Sequence, residues 1–161
     1  MLGQKVLLNQ MPIAIKDSKI DISSEETTKE LAKDLTHYLK GGEIVYLYGE
    51  MGVGKTTFVR YLINQFQKNK KLHITEVTSP TFNLLNEYDI NDLVIKHYDL
   101  FRLKDESEIT NLDLFKNNQS TITLIEWPQL ISKNKSIKTI DLIFSYENEL
   151  NNRSVKIDGL N

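Results

Sequence analysis

Apolar residues recur along this chain in two rhythms. "SSEETTKELAKDLTHYLKGG" sets Leu31, Leu35 and Leu39 at helical spacing, behind a Ser/Thr/Glu cluster and ahead of Gly41-Gly42. The pattern predicts a helix that the glycine pair stops. "KTTFVRYLINQFQKN" repeats that spacing through Phe58, Leu62 and Phe66. "DESEITNLDLFKN" reads as a third, capped helix with Ile109, Leu112 and Phe115 on one side. Shorter apolar runs read as strands. "EIVYLYG", over 43–49, ends in glycine and suits a buried strand, and "STITLIEWP" is a strand closed by Pro128. Two β-rich runs flank "DIND", which predicts a hairpin of roughly 82–89 against 93–99. "KTIDLIFSY" and "RSVKIDGL" alternate as an antiparallel C-terminal pair. Residues 1–19 fit either an edge strand or a loose arm, and "KNKK" (68–71) a solvated loop. Strands and helices interleave, so the expected class is α/β: one domain over 20–161, with a mixed, mainly parallel sheet flanked by helices and some antiparallel strands.

Composition adds limits to this outline. The chain has 161 residues, enough for one domain with a real core, and is 40% hydrophobic and 26% charged. A net charge of −2 argues against a broad basic surface for naked nucleic acid. There is no cysteine, hence no disulfide framework and no thiolate metal site, which fits a reducing cytoplasm. The first residues lack the apolar core and cleavage site of a secretion signal. No run approaches the ~18 apolar residues of a membrane span. The expected location is therefore cytoplasmic, and N-x-S sequons, among them those at Asn118 and Asn152, are read as accidental.

The chemistry starts at "GEMGVGKTT". Gly49-Glu50-Met51-Gly52-Val53-Gly54-Lys55-Thr56 satisfies G-x-x-x-x-G-K-[ST] at each fixed position, between a predicted strand and a predicted helix. Glycines let the backbone turn tightly and bring N–H groups to an anion. The helix that follows adds unpaired amides and the positive end of its dipole. Lys55 supplies a point charge for β and γ phosphates, worth roughly 4 kcal/mol at ~4 Å and an effective dielectric of ~20, before desolvation. Thr56 offers a hydroxyl to Mg²⁺. A nucleotide-phosphate site is expected over Glu50, Met51, Gly52, Val53, Gly54, Lys55, Thr56 and Thr57.

Such a loop needs a carboxylate near its metal, commonly at a strand's end. Asp99 after "VIKHY" and Glu126 after "TITLI" both stand where an apolar strand runs out. Either one taken singly also fits a solvated carboxylate. Trp127, the chain's one tryptophan, reads as core, or as a reporter of nucleotide state beside Glu126. His97 reads as a packed, hydrogen-bonded histidine; His37 and His73 carry no signal. "TSPTF" (78–82) brings Thr78, Ser79 and Thr81 to a loop-to-strand junction. It is either a plain turn or a switch that orders around γ-phosphate and Mg²⁺.

Taken in order, "SSEETTKELAKDL", "YLYGEMGVGKTTFVR", "TSPTFNLLNEY", "HYDLFRL" and "LIEWP" resemble the motifs of the TsaE (YjeE) family, over about residues 23–128. Those proteins are the ATPases of bacterial tRNA threonylcarbamoyladenosine (t6A) synthesis. The phosphate loop is generic, whereas "TSPTF", "HYDLFRL" and "IEWP" together are specific. The resemblance implies a small P-loop α/β ATPase domain binding ATP/ADP and Mg²⁺. It implies Thr56 and Glu126 as Mg²⁺ ligands with Asp99 close by and required, Lys55, Asp99 and Glu126 as the catalytic groups, and Thr28 near the nucleotide. "TSPTF" would be the first switch and "IEWP", with Trp127, the second. The implied partner is the TsaB–TsaD heterodimer, chiefly TsaD, which acts on an anticodon-loop adenosine of tRNA; tRNA would be met only through that complex. Phe101 stands where the family commonly has tyrosine and Met51 where it has leucine, and neither change removes a polar catalytic group.

Three other readings use the same loop. A small kinase would clamp its phosphate with arginines, yet the chain has only Arg60, Arg102 and Arg153 and no arginine-rich lid. A GTP switch would carry N-K-x-D and D-x-x-G, and neither is present. A non-hydrolysing nucleotide-dependent adaptor would keep the loop intact without turnover.

Overall fold

The computed structural model describes residues 19–116, 118–132, 139–149 and 151–160. Seven strands form one sheet: β1 (Lys19–Asp21), β2 (Ile44–Tyr48), β3 (Leu85–Ile90), β4 (Leu93–Asp99), β5 (Thr121–Glu126), β6 (Thr139–Tyr146) and β7 (Arg153–Asp158). Three helices accompany them, α1 (Glu25–Leu35), α2 (Lys55–Asn69) and α3 (Glu106–Thr110). The spatial order is β1-β7-β6-β2-β5-β4-β3. The four central strands, β6, β2, β5 and β4, run parallel. The outer pairings, β1 with β7, β7 with β6 and β3 with β4, are antiparallel.

Burial explains why the parallel strands sit in the middle. A parallel sheet is covered on both faces, so its strands read as continuous apolar runs. In β2, Val45 and Leu47 face a core built with Leu31, Leu35, Phe58, Leu62 and Leu142 under α1 and α2. Ile44 and Tyr46 face the opposite core with Tyr98, Leu100, Ile109 and Leu114. All six residues of β5 are buried. Among the described residues no helix is long and apolar enough to cross a membrane.

Most elements fall where the apolar pattern puts them, and helix α2 coincides with its predicted span, so that Lys68 and Asn69 of "KNKK" belong to the helix and only Lys70 and Lys71 to the turn after it. Three boundaries differ. Helix α1 ends at Leu35, before the glycine pair. The N–H groups of His37 and Tyr38 turn back to the carbonyls of Asp34 and Leu35 at 3.1 and 3.0 Å. The buried Glu43 carboxylate then takes the amides of Lys40 and Gly41 at 2.9 and 2.8 Å, which fixes a turn and still buries Leu39. Helix α3 covers only Glu106–Thr110, and the chain beyond it turns left-handed at Asp113, with φ 51°. Leu112 and Phe115 nevertheless pack on the same core as Ile109, as their spacing predicts. The hairpin strand starts at Leu85, after a turn closed by the Leu84 amide on the Pro80 carbonyl at 2.8 Å. The N-terminal expectation concerns residues that lie outside the described ones up to Lys19, where the edge strand β1 begins.

Leu47 is fully buried in the central strand. Leu47→Ala is expected to lower stability by about 2–5 kcal/mol in denaturant unfolding, with the slope unchanged.

Candidate functional site

The site forms at the carboxyl ends of the parallel strands. Register fixes it: Leu47 of β2 pairs with Glu126 of β5, and Asp99 of β4 pairs with the same Glu126. Two carboxylates and the loop after β2 therefore emerge side by side. The chain leaves β2 through Gly49, whose φ is +146°, and enters α2 through Gly54, whose φ is +117°. A Cβ on Gly49 would stand 2.9 Å from a Val53 methyl and 3.0 Å from Phe144. Only glycine fits that turn, and buried Val53 pins the loop to the core from inside.

Thr56 and Glu126 meet at the mouth of the loop. The Thr56 hydroxyl lies 3.0 and 3.2 Å from the two carboxylate oxygens of Glu126 and donates to them. Glu126 is 2% exposed, and His97, buried completely, hydrogen-bonds its Oε2 through Nε2 at 2.7 Å. His97 thus packs as the sequence predicts, and its task is to orient Glu126. Asp99 sits next door. Its Oδ2 accepts from the Ser79 hydroxyl at 2.7 Å and its Oδ1 from the Phe101 amide at 3.0 Å. Thr81 donates to Ser79 at 3.2 Å, so "TSPTF" reaches the Asp99 carboxylate through a chain of hydroxyls.

Lys55 is 4% exposed and points inward. Its ammonium donates to the Gly49 carbonyl and lies 3.6 Å from the centroid of the Trp127 ring. Burial pushes the Lys55 ammonium below the ordinary lysine range, and the Glu126 and Asp99 carboxylates oppose that shift. Trp127 reaches this position because its backbone turns left-handed, with φ 57°, directly after β5. A bulky residue there costs on the order of 1–3 kcal/mol, which the packing against Lys55 and Phe101 offsets.

These groups line a cavity of about 430 Å³. Of the residues singled out from sequence, Met51, Gly52, Gly54, Lys55, Thr56, Thr57, Ser79, Thr81, Asp99, Glu126 and Trp127 line it. Thr28 and Val53 instead line an adjoining cavity of about 280 Å³ between α1 and the loop, which shares Gly54 and Thr57 with the first. Glu50 is exposed and lines neither, and Thr78 turns its carbonyl to the Asn86 side chain at 3.2 Å. Two lining residues, Phe101 and Arg153, were not marked as site residues by the sequence. Phe101 follows Asp99 within a recognised motif, whereas Arg153 stands on the last strand with nothing beside it to flag it.

The oxygen donors suit Mg²⁺, which takes one or two carboxylates and completes its shell with phosphate and water. Among the described residues no group of three or more His, Cys, Asp or Glu forms a metal cluster of its own. Thr56 and Glu126 are the pair that fits, with Asp99 adjacent.

Comparison with known proteins identifies the family. Residues 22–155 match the family model described as threonylcarbamoyl adenosine biosynthesis protein TsaE. The chain is similar to the tRNA threonylcarbamoyladenosine biosynthesis protein TsaE of Rickettsia conorii, 44% identical over 68% of this chain and 61% of that one. The match therefore spans less than two thirds of that relative's length. It is similar to the protein of the same name from Bacillus subtilis, 36% identical over 74% of this chain and 72% of the relative. A solved structure, that of Bacillus subtilis YdiB, superposes with a TM-score of 0.66 over 91% of this chain and 87% of that one; at 22% identity it supports the fold.

The buried contact between His97 and Glu126 gives a direct test. His97→Ala removes that partner and is expected to cost about 1–3 kcal/mol in thermal or denaturant unfolding, with His97→Gln recovering part of the loss. Unchanged stability in the alanine variant would contradict an orienting role.

Proposed function

The chain belongs to the TsaE family, and from that premise we propose that it binds ATP with Mg²⁺ and hydrolyses it slowly, on behalf of a complex that makes t6A in tRNA. The observation that carries this reading is the Thr56 hydroxyl seated on both oxygens of Glu126 at the mouth of a phosphate loop. Residues of the loop and the start of α2 turn their amides to the phosphates, and Lys55 meets the β and γ groups. To do so its ammonium leaves the Gly49 carbonyl and the Trp127 ring. Thr56 and Glu126 would hold Mg²⁺, and Asp99 would support the same charge from the next strand. The metal, when bound, neutralises charge on the phosphoryl oxygens. Ser79 and Thr81, tied to Asp99, form the first switch segment, and Trp127, tied to Lys55, the second.

Slow hydrolysis follows from the cation inventory. Where a cation in trans completes such a site, it is worth about 10³–10⁵ in rate. Among the described residues Arg153 is the sole arginine lining the cavity, and it lies toward the Gly54 end of the loop. The partner in this reading is the TsaB–TsaD heterodimer, chiefly TsaD, with tRNA engaged only through it and the whole acting in the cytoplasm. ATP then supports repeated turnovers rather than the transfer itself. A small kinase fits less well, because among the described residues no arginine besides Arg153 lines the cavity.

Phosphate release is expected to be slow for the chain alone and faster with TsaB–TsaD; equal rates with and without them would contradict the reading. Lys55→Ala and Glu126→Ala are each expected to abolish multi-turnover t6A formation. Trp127, the chain's one tryptophan, should change its fluorescence when MgATP is added, and Lys55→Ala should suppress that change.

A further inference from the structure

Arg153 is the charged residue at this site that the proposed reaction leaves without a task. It opens β7, and its backbone is held twice against the segment that leads into α1. Its N–H donates to the Ser23 hydroxyl at 3.0 Å, and its carbonyl accepts the Ile22 amide at 2.9 Å. The side chain runs from that anchor to the phosphate loop, where Nη1 lies 3.7 Å from the point a Gly54 Cβ would occupy. Gly54 is the residue that opens α2.

The guanidinium has no carboxylate within ion-pair distance among the described residues. Its Nε is buried and has no hydrogen-bond partner there. A buried donor left unmade is costly, and an arginine fork is shaped for the paired oxygens of a phosphate. Arg153 lines both the phosphate cavity and the adjoining cavity that holds Thr28. It shares that junction with Gly54 and Thr57. A nucleotide with its terminal phosphates at Lys55 and Thr56 and its nucleoside beside Thr28 must pass its first phosphate through this junction.

Charge points the same way. Without Arg153 the phosphate cavity offers one cation, Lys55, against the carboxylates of Asp99 and Glu126. Mg²⁺ and Lys55 serve the outer phosphates, which leaves the innermost one without a cation. We propose that Arg153 grips the α-phosphate of the bound nucleotide at the junction of the two cavities. The inference rests on the nucleotide reading above and adds to it a contact from the C-terminal strand. Because the backbone of Arg153 is tied to Ser23 and Ile22, nucleotide binding would also brace β7 against the entry to α1.

The test is calorimetric titration of the full chain with ATP and with ADP, both with Mg²⁺, for the wild type, R153M and R153K. Methionine keeps the apolar stem of the side chain and removes the charge. R153M should weaken both nucleotides by a similar factor, roughly ten- to a hundredfold, with the ligand-free melting temperature close to wild type. R153K should recover part of the affinity, since lysine supplies a point charge without the fork. Should R153M fail to fold, R153K carries the test alone, with a smaller equal weakening of ATP and ADP expected. Wild-type affinity in both variants would overturn the inference and leave the nucleotide reading standing. Weakened ATP with unchanged ADP would also overturn it, placing the residue at the γ-phosphate. A wild-type chain that binds neither nucleotide would overturn the nucleotide reading itself, and the inference with it.

Discussion

Strand β5 lies between β2 and β4 and runs parallel to both, and the register of those two pairings decides the chemistry of the molecule. Glu126 is opposite Leu47 on one side and opposite Asp99 on the other. Since β2 ends directly before the phosphate loop, the same alignment delivers Thr56 to Glu126 from across the sheet. A slip of one residue in either pairing would turn these side chains to the wrong face. The register is protected by burial: β5 is covered along its whole length, with Ile122 and Leu124 in one core and Ile125 in the other. The apolar pattern that makes the fold stable is thus also what aligns the site.

Around that alignment the protein manages charge that it has taken out of water. Glu126 and Lys55 are both nearly inaccessible, and each has partners within the protein that hold it. Glu126 is bound by Thr56 and His97, and Lys55 by a carbonyl and the face of Trp127. In the proposed reaction these contacts are exchanged for phosphate and metal. In that proposal the neighbouring segments, "TSPTF" tied to Asp99 and "EWP" tied to Lys55, would carry the news of occupancy to the surface. The exposed Phe82 and the half-exposed Phe101 stand on or beside those segments.

The sequence discloses much of this and omits specific parts for physical reasons. The phosphate loop, α2 and the strand ends at Asp99 and Glu126 are local patterns, so they are legible without a structure. The short reach of α1 is not, because it depends on a side chain, Glu43, capturing two backbone amides of the preceding turn. The early end of α3 at Thr110 is equally hidden, since the spacing of Ile109, Leu112 and Phe115 continues past it. His97 looks like any packed histidine until the β4–β5 register puts it beside Glu126. Arg153 is the clearest omission. Its place beside Gly54 depends on β7 folding back against β6 and β1, a contact between distant parts of the chain that no local motif encodes.

The central claim is that Glu126 turns a generic phosphate grip into a Mg²⁺-dependent ATP site. Titration of ATP with and without Mg²⁺, in the wild type and in Glu126→Gln, tests it most directly. The glutamine keeps the shape of the side chain and removes its charge. Mg²⁺ should strengthen ATP binding to the wild type and have little effect on binding to the variant. An equal Mg²⁺ effect in the two proteins would contradict the claim.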